Sequence, residues 1–303
     1  MGKFSSRTPE QQGQRQAASV MKEMQGDKIS SVGTVRNYEQ ALKSVATALA
    51  YEDKNLKDLT PETAKSYLEM RAEEVGQKTL DMERQAIQAM MTHVTNQLTP
   101  GEKLEVVKSQ HEQILESRAY TPEQVQMVAD RQTERNALAT EIAHASGLRA
   151  HELLTLEKAE NRPANERPAD SEKFSGREGE RYTVEGKGGL VREVVIPSHL
   201  AERLEERQLE EPRTVTDRGI YYEQKYDIAG GKAWSNSFSA ASERALGWSE
   251  GGHGLRHSYA QERMNELRDI NRENGHLERE HALTVVSQEM GHFRPDITEV
   301  YLR

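Results

Sequence analysis

Four separated segments of the sequence carry side chains that could do chemistry. In chain order they are G-L-R-A-H-E-L-L with Arg149 and Glu152, E-G-K-G-G with Lys187, H-G-L-R-H-S-Y-A with His253, Arg256 and His257, and G-H-F-R-P-D-I-T-E-V-Y-L-R with His292 and Tyr301. An arginine guanidinium stays charged and can bridge two phosphate oxygens, and a tyrosine oxygen can act as a nucleophile. Each segment alone is weak evidence, because most helical arginines are solvated or ion-paired and most tyrosines on terminal helices pack.

Taken together and in this order, the segments resemble the tyrosine recombinase, or phage-integrase, family. The family pattern is an arginine within G-L-R-x-x-E-L, a lysine on a β-hairpin turn, H-x-x-R followed by H-[ST]-[FY]-A, and L-G-H with a tyrosine nine residues after the histidine. The chain follows this pattern over roughly residues 121–301, with Met290 in place of the usual leucine. Five matches in one order are strong evidence, although each by itself could arise by chance in a helical protein.

The chemistry that the resemblance implies is cleavage of a DNA phosphodiester. Without a metal, this reaction requires a nucleophile, neutralisation of charge on the non-bridging oxygens, and a proton for the departing sugar oxygen. Arg149 and Arg256 would clamp the phosphorane-like transition state. Tyr301 would attack and form a covalent 3′-phosphotyrosine, which stores the energy of the broken bond, so that neither metal nor ATP is needed.

The other candidate residues would assist these three. By resemblance, Lys187 is the general acid for the 5′-oxygen, and its glycine-flanked turn would let it move to the minor groove. His253 and His292 would hydrogen-bond the phosphate and assist proton transfer. Glu152, three positions after the first arginine on the same helix, would orient the active-site framework. His257 is expected to be a supporting residue that packs within its helix.

Two other kinds of site are disfavoured by the motifs. His253 and His257 lie four residues apart and could form a zinc pair, but the glutamate of H-E-x-x-H is missing between them. Gly186-Lys187 and Gly231-Lys232 resemble parts of a phosphate-binding loop, yet neither completes G-x-x-x-x-G-K-[ST]. We therefore expect no metal and no cofactor.

Composition limits the class of protein. The 303 residues include 41 basic and 50 acidic ones, a net charge of −9, which argues mildly against a polyanionic partner. A binding groove, however, depends on where basic side chains gather after folding. The chain has no cysteine, no secretory signal, and no apolar run near the roughly 20 residues of a membrane span. These features predict a cytoplasmic protein that does not contact a membrane, and the resemblance implies that it is associated with the nucleoid.

The N-terminal elements that would accompany the site are helical. Residues 1–32 are polar without a sustained apolar period, so we expect a flexible arm or a short frayed helix there and assign the segment as a flexible N-terminal arm. From Thr34 onward, apolar residues at helical spacing predict three helices up to Leu98, one of them beginning at Thr60-Pro61-Glu62. Residues 33–110 resemble the four-helix, SAM-like core-binding domain of the family, which binds DNA.

The elements that must position the chemistry lie in residues 118–303, which we assign to a catalytic domain. The sequence YTVEGKGGLVREVVIP alternates apolar and polar residues around a glycine-rich turn and predicts a β-hairpin. Residues 159–181 contain little that could enter a core and predict an exposed insertion. The predicted fold class is mainly α (α+β): a helical domain followed by a mostly helical domain with a small antiparallel β-hairpin or sheet.

The resemblance implies a site-specific DNA recombinase. Such an enzyme binds double-stranded recombination sites as a dimer on each site, forms a tetramer in synapsis, and exchanges strands through a Holliday junction. Integration and excision of a mobile element is the first interpretation, and Xer-like resolution of chromosome or plasmid dimers is the second. A type IB topoisomerase or telomere resolvase would use the same phosphotyrosine step, and a catalytically silent DNA-binding regulator would keep only the fold. The need for an accessory DNA-bending protein stays open.

Overall fold

Helices form most of the chain, and two small antiparallel sheets accompany them in the residues that the structure describes. The structure is a computed structural model, and it describes residues 7–112, 116–186, 188–270 and 278–303. The chain divides into two compact units, Met1–Ile114 and Leu115–Arg303, called here the N-terminal and C-terminal units. The predicted fold class, mainly α with a small antiparallel sheet, is confirmed. No helix in the described ranges is both long enough and apolar enough to cross a membrane.

The described part of the N-terminal unit is built from α-helices and one 3-10 turn. They are α1 Pro9–Met24, α2 Val32–Ala50, the 3-10 turn Leu56–Asp58, α3 Pro61–Arg71 and α4 Gln77–His93. The hydroxyls of Thr8 and Thr60 accept hydrogen bonds from backbone N–H groups at the starts of α1 and α3, where proline follows as the first helical residue. Leu42, Leu68 and Ile87 are among the apolar residues that fill the core between the helices.

The prediction of a flexible arm over residues 1–32 is wrong for Pro9–Met24, which form α1. Ala17, Val20, Met21 and Met24 are buried and belong to the core of the N-terminal unit. Their spacing of three, one and three residues places them on one face of a helix. The glutamines of the first half of the helix, before Ala17, concealed this face because they give the segment a polar composition.

The C-terminal unit surrounds a three-stranded sheet with helices. Its described elements are α5 Pro122–Ala129, α6 Glu134–Ser146, a 3-10 turn Glu152–Leu154, β1 Glu157–Lys158, β2 Glu180–Glu185, β3 Val191–Ile196, α7 Ser198–Glu205, β4 Gln208–Asp217, β5 Ile220–Tyr226, α8 Gly231–Leu246, α9 Gly254–Ile270, α10 Arg279–Glu289, α11 Pro295–Glu299 and a 3-10 turn Val300–Leu302. The strand order is β1-β2-β3, and β2 and β3 form an antiparallel pair that begins at Glu185 and Val191. Tyr182, Val184 and Val194 point into the core.

A second sheet lies in a region that the sequence pattern assigned mostly to helices. β4 and β5 pair as an antiparallel ribbon, with a register shift between Gln208 and Arg213. Most of β4 is exposed on both faces. An exposed ribbon lacks the alternation of apolar and polar residues by which a half-buried strand is recognised, so the pattern gave no signal for it.

Residues 159–179, called here the strap, pack more closely than an exposed insertion would. The backbone N–H of Asn165 donates to the carbonyl of Val191 at 3.0 Å, on the outer edge of β3. Farther along, the N–H of Phe174 donates to Oε1 of Glu289 at 2.7 Å, and its side chain is buried. Arg177 then binds Glu266 of α9 at 2.8 Å. The strap is therefore fixed through polar contacts, which an apolar pattern does not predict.

Candidate active site

The turn after α6 positions the first of the predicted site residues. Gly147 follows Ser146 with a φ of 61°, a left-handed conformation that favours glycine. A Cβ at Gly147 would lie 2.8 Å from ring atoms of Tyr259 in α9, so a larger residue would clash there. The chain then passes through Arg149 into the 3-10 turn that begins at Glu152. Glycine is thus required where the chain leaves α6 toward Arg149.

Glu152 is a buried carboxylate that links three arginines. Its Oε1 accepts from Nη1 of Arg149 at 2.6 Å, and its Oε2 accepts from the backbone N–H of Arg149 at 2.8 Å and from Nη2 of Arg192 at 2.7 Å. Nη1 of Arg256 lies 4.0 Å from Oε2. Burial alone would raise the pKa of Glu152, but Arg192, Arg256 and Arg149 outweigh it and hold the pKa well below its usual range. Two arginines that are distant in sequence, Arg149 and Arg256, are therefore brought together.

Arg256 lies on α9 and is completely buried. Its Nη1 donates to the carbonyl of Gly147, and its Nη2 donates to the carbonyl of Met290 at 3.2 Å and to Nε2 of His292 at 2.9 Å. Burial, and then the neighbouring Arg149, lower the pKa of Arg256 to about 10, so it stays charged at neutral pH. Its Nε has no hydrogen-bond partner in the part of the chain that the structure describes. Both terminal nitrogens of the guanidinium, Nη1 and Nη2, are thus hydrogen-bonded, and the N–H of Nε has no such bond among the described residues.

His292 orients Arg256 rather than pointing away from it. Because Nε2 accepts the bond from Arg256, the ring proton is on Nδ1, which donates to Oγ1 of Thr298 at 3.1 Å. Partial burial, followed by Arg256 and Arg149, lowers the pKa of His292 to about 3. The imidazole is therefore neutral at pH 7, as this pair of hydrogen bonds requires.

Tyr301 lies in the last 3-10 turn, with 8% of its surface exposed. Its ring centroid is 5.3 Å from that of His253, 4.8 Å from that of His257 and 5.1 Å from that of His292. The Cζ of Arg256 lies 5.6 Å from the same ring. The structure thus brings the predicted nucleophile, three histidines and one arginine into a single cluster.

Two of these histidines are neutral bases beside the phenol. Partial burial of the ring, and then Arg256, lower the pKa of His253 to about 4, although the residue keeps an exposed edge. His257 is buried, and burial followed by Arg118 lowers its pKa to about 4 as well. Nδ1 of His257 has no hydrogen-bond partner among the described residues. A neutral imidazole can accept a proton, so both residues have the charge state of a general base.

Lys187 lies outside the described residues, but the residues that flank it do not. The N–H of Gly186 donates to the carbonyl of Leu190 at 2.7 Å and so closes the base of the β2–β3 turn. A Cβ on Gly186 would lie 3.4 Å from Oε1 of Glu152 and 4.0 Å from Nη1 of Arg149. The base of the hairpin turn is therefore adjacent to the arginine and glutamate that were predicted for the site.

Arg192 is a site residue that the motifs did not identify. It lies on β3, and its Nη1 donates to the carbonyl of Glu289 at 2.6 Å while Nη2 binds Glu152. Gly291 packs directly on this side chain, since a Cβ there would lie 2.5 Å from Cδ of Arg192. A signal was present in the sequence: Arg192 shares the inward face of β3 with Val194 and Ile196. A buried arginine on a strand needs a carboxylate partner.

The charges at the centre of the site do not cancel. Arg149, Arg192 and Arg256 surround the single carboxylate of Glu152. The side chain of Arg149 is 25% exposed, so part of this positive charge is accessible. Such a cluster can bind an anion with geometric preference for planar pairs of oxygens, as in a phosphate group.

No family model matches the chain, and no curated protein sequence matches it. Solved structures do match over nearly the whole length. The XerH site-specific recombinase bound to palindromic difH substrate, in a post-cleavage complex, is 12% identical with a TM-score of 0.55 over 99% of this chain and 94% of that one. A lambda integrase dimer bound to a COC′ core site is 15% identical, with a TM-score of 0.56 over 95% and 94% of the two chains.

A transposon enzyme has a similar fold as well. The Tn1549 transposon integrase in complex with transposon right end DNA is 13% identical, with a TM-score of 0.54 over 96% of this chain and 95% of that one. At these identities the similarity concerns the fold. The chain has the fold of the tyrosine recombinases, and the resemblance inferred from the motifs is confirmed at that level.

Proposed function

We propose that this protein is a site-specific DNA recombinase that breaks and rejoins DNA through Tyr301. The observation that carries the proposal is the cluster in which the Tyr301 ring lies within 5.3 Å of three histidine rings and beside Arg256. Arg256 is in turn connected to Arg149 through Glu152. A nucleophile, proton acceptors and a cationic phosphate clamp are the groups that phosphodiester cleavage requires.

In the proposed reaction, Arg149 and Arg256 bind the non-bridging oxygens of the scissile phosphate. The phenolic oxygen of Tyr301 attacks phosphorus, the new P–O bond forms, and the bond from phosphorus to the 5′-oxygen breaks. The phenolic proton passes to a neutral imidazole. The lowered pKa values of His253 and His257 keep both rings neutral at pH 7, so either ring can accept this proton. Lys187, by resemblance, protonates the departing 5′-oxygen. Since the 3′-phosphotyrosine conserves the bond energy, the reverse reaction with another 5′-hydroxyl rejoins the strand.

The roles of Glu152 and His292 in this scheme follow from their contacts. Glu152 fixes the separation of the arginines, and His292 fixes the orientation of Arg256 through its Nε2. Both would fix the arginines before the substrate arrives. Because Arg256 is completely buried and the Tyr301 ring lies beside it, the turn that carries Tyr301 would have to shift for a phosphate to reach Arg256.

At the level of the assembly, we propose recombination sites in double-stranded DNA as the partner. The N-terminal unit would be the core-binding domain and the C-terminal unit the catalytic domain. Two protomers would bind each site, four would form the synapse, and strands would pass through a Holliday junction, with an accessory DNA-bending protein as an additional partner. The biological role we propose is the integration and excision of a mobile element, carried out on the nucleoid in the cytoplasm, with Xer-like dimer resolution as the alternative, since lambda integrase, the Tn1549 integrase and XerH all have similar folds.

The chemistry is tested with a nicked suicide duplex, in which loss of a short 5′-hydroxyl fragment traps the covalent adduct. DNA that co-purifies covalently with the protein supplies the sequence for this duplex. The unaltered protein should form a protein–DNA adduct, and Tyr301→Phe should form none while it binds the duplex with unchanged affinity. An adduct with the phenylalanine variant would show that another residue is the nucleophile. Supercoiled DNA with two sites should yield recombinants, whereas relaxation alone would indicate a topoisomerase.

A further inference from the structure

One face of α9 continues beyond the predicted site residues. His253 immediately precedes the helix, and His257 and Gln261 follow at intervals of four residues. Residues spaced by four lie above one another on a helix surface. Gln261 therefore extends the row formed by the two histidines that contact the ring of Tyr301, and no family motif quoted above includes it.

The side-chain amide of Gln261 holds the backbone of the nucleophile's turn. Its Nε2 donates to the carbonyl of Tyr301 at 3.2 Å and to the backbone oxygen of Arg303 at 2.9 Å. The same nitrogen lies 3.2 Å from Oγ of Ser117, near the start of the C-terminal unit. An amide nitrogen carries two N–H groups, so three acceptors share two donors.

The 3-10 turn that carries Tyr301 needs such a donor. A single 3-10 turn has poor internal hydrogen bonds, and the carbonyl groups at the end of a helix have no partner within it. The histidine rings and Arg256 contact the ring of Tyr301, and its main chain is bound by the amide of Gln261 and also by His257. The two sets of contacts together fix both where the turn lies and where the ring points.

We propose that Gln261 is a positioning residue for the nucleophile. By binding the carbonyl of Tyr301, it sets the position of the turn relative to α9, and therefore the distance from the phenolic oxygen to a phosphate held by the arginines. The inference rests on the proposed function, because a position matters only if Tyr301 attacks. A misplacement of the attacking atom by about 1 Å can slow an enzymatic reaction by roughly a hundredfold, whereas DNA binding does not require this contact.

Two substitutions separate a hydrogen bond from mere packing. Gln261→Ala removes both the amide and its volume. Gln261→Glu keeps the shape, but a carboxylate only accepts hydrogen bonds and would repel the two carbonyl oxygens. If the amide positions Tyr301, the isosteric glutamate should be the more harmful of the two; if the side chain only fills space, the glutamate should behave like the unaltered protein.

The experiment measures single-turnover adduct formation on the nicked suicide duplex at saturating DNA, using the full chain. We expect Gln261→Ala to form the adduct about tenfold more slowly and Gln261→Glu more slowly still. DNA affinity should stay within about twofold of the original, and the melting temperature should stay unchanged. If Gln261 only stabilised the fold, the slower rate would be accompanied by a lower melting temperature or weaker binding. Gln126→Ala, which removes a glutamine bonded to Asp130 on exposed α5, serves as the matched control and should keep the original rate.

The possible failures are distinguishable. A normal rate for Gln261→Glu would overturn the inference, and so would a loss of rate that is matched by an equal loss of DNA affinity or a lower melting temperature. The proposed function would stand in both cases. Absence of any adduct from the unaltered protein would overturn the proposed function, and this inference with it.

Discussion

Arg192 forms a buried ion pair with Glu152 of the candidate site. The side chain of Arg192 is 3% exposed and that of Glu152 is 0% exposed. We expect Arg192→Met to destabilise the protein by about 1–3 kcal/mol, because the buried carbonyl of Glu289 and one oxygen of Glu152 each lose a hydrogen-bond donor, while Arg149 and Arg256 still neutralise the carboxylate. Arg192→Lys should cost less, since it keeps the charge but loses the planar pair of donors. Urea denaturation followed by circular dichroism measures both changes.

A substitution with the same loss of charge provides the control for Arg192. Lys57→Met breaks an ion pair with Glu23 in which both side chains are nearly half exposed. Exposed pairs contribute little, so the free energy of unfolding should change by less than about 1 kcal/mol. Equal stability of Arg192→Met and the unaltered protein would contradict the view that Glu152 depends on this arginine.

The histidines around Tyr301 predict how stability changes with pH. His257 and His292 have folded pKa values lowered to about 4 and about 3, below the unfolded value of about 6.5. Between these values the unfolded chain binds protons that the folded chain does not. The contribution of each histidine is therefore fully present above about pH 6.5 and is lost as the pH falls toward the folded pKa. The thermal unfolding midpoint should decrease from pH 7.5 to pH 5.0.

Removal of one titrating group tests the cause of this pH dependence. The decrease should be shallower in His257→Gln, which has no imidazole to protonate at that position. A midpoint that rises on acidification over the same range would mean that the histidines are not buried as neutral groups in the folded protein.

At the residue scale, the sequence predicted the groups whose chemistry is distinctive and whose spacing is fixed by one helix or turn. His253, Arg256 and His257 lie within five residues, and His292 and Tyr301 within ten. Arg192 was missed because its partners, Glu152 and Glu289, are 40 and 97 residues away and no local pattern connects them. Long-range ion pairs of this kind become visible only once the chain has folded.

At the scale of elements, the strap contacts the turn that follows His292. The guanidinium of Arg167 lies 4.7 Å from the ring centroid of Phe293, the residue after His292. Phe293 has a φ of 53°, a conformation that costs energy for a residue with a side chain. The cation–π contact therefore helps to hold a strained turn that directly follows a site residue.

We expect Arg167→Ala to slow adduct formation several-fold on the nicked suicide duplex, since the turn that carries His292 loses about 0.5–1 kcal/mol of support. DNA affinity should change by less than about twofold, because binding does not require the turn to be in one conformation. Glu166→Ala, at the exposed neighbouring position, is the control and should keep the original rate. A full rate for Arg167→Ala would show that the strap does not influence the site.

Elements were predicted well where the chain marks their ends and less well elsewhere. α3 and α5 both follow a threonine-proline pair, and the start of α3 was predicted from that pair. α1 begins in the same way at Thr8, but its polar composition was given more weight than its cap. The sequences of β4 and β5 do not alternate between apolar and polar residues, because little of the ribbon is buried. The strap was not predicted to pack because polar contacts such as that of Phe174 N–H with Glu289 leave no apolar pattern.

At the scale of the whole molecule, the net charge of −9 must be reconciled with the proposal that DNA is the partner. In the proposed complex, the partly exposed Arg149 and the arginines behind it would attract a phosphate at short range, since exposed charges farther away are screened within about 8–10 Å. We expect the affinity of Tyr301→Phe for the duplex to fall as salt increases from 50 to 200 mM, because counterions are released where cations contact phosphates. Fluorescence anisotropy measures this dependence, and an affinity that does not change with salt would contradict phosphate contacts.

The division into two units was partly accessible from the sequence. Thr99-Pro100-Gly101 breaks the helical pattern before the boundary that separates Met1–Ile114 from Leu115–Arg303. Composition supplied the size and charge of the molecule but not the location of its basic side chains. Only the folded chain gathers three arginines from residues 149 to 256 around one glutamate.

The gathering of these arginines around one glutamate has a practical consequence for handling the protein. Free sulfate, phosphate or vanadate should occupy the partly accessible guanidinium of Arg149 and its neighbours, and so stabilise the purified chain during storage. The same oxyanions would then compete with oligonucleotides in assays. Chloride or acetate buffers are the better choice for kinetics, and sulfate for crystallisation.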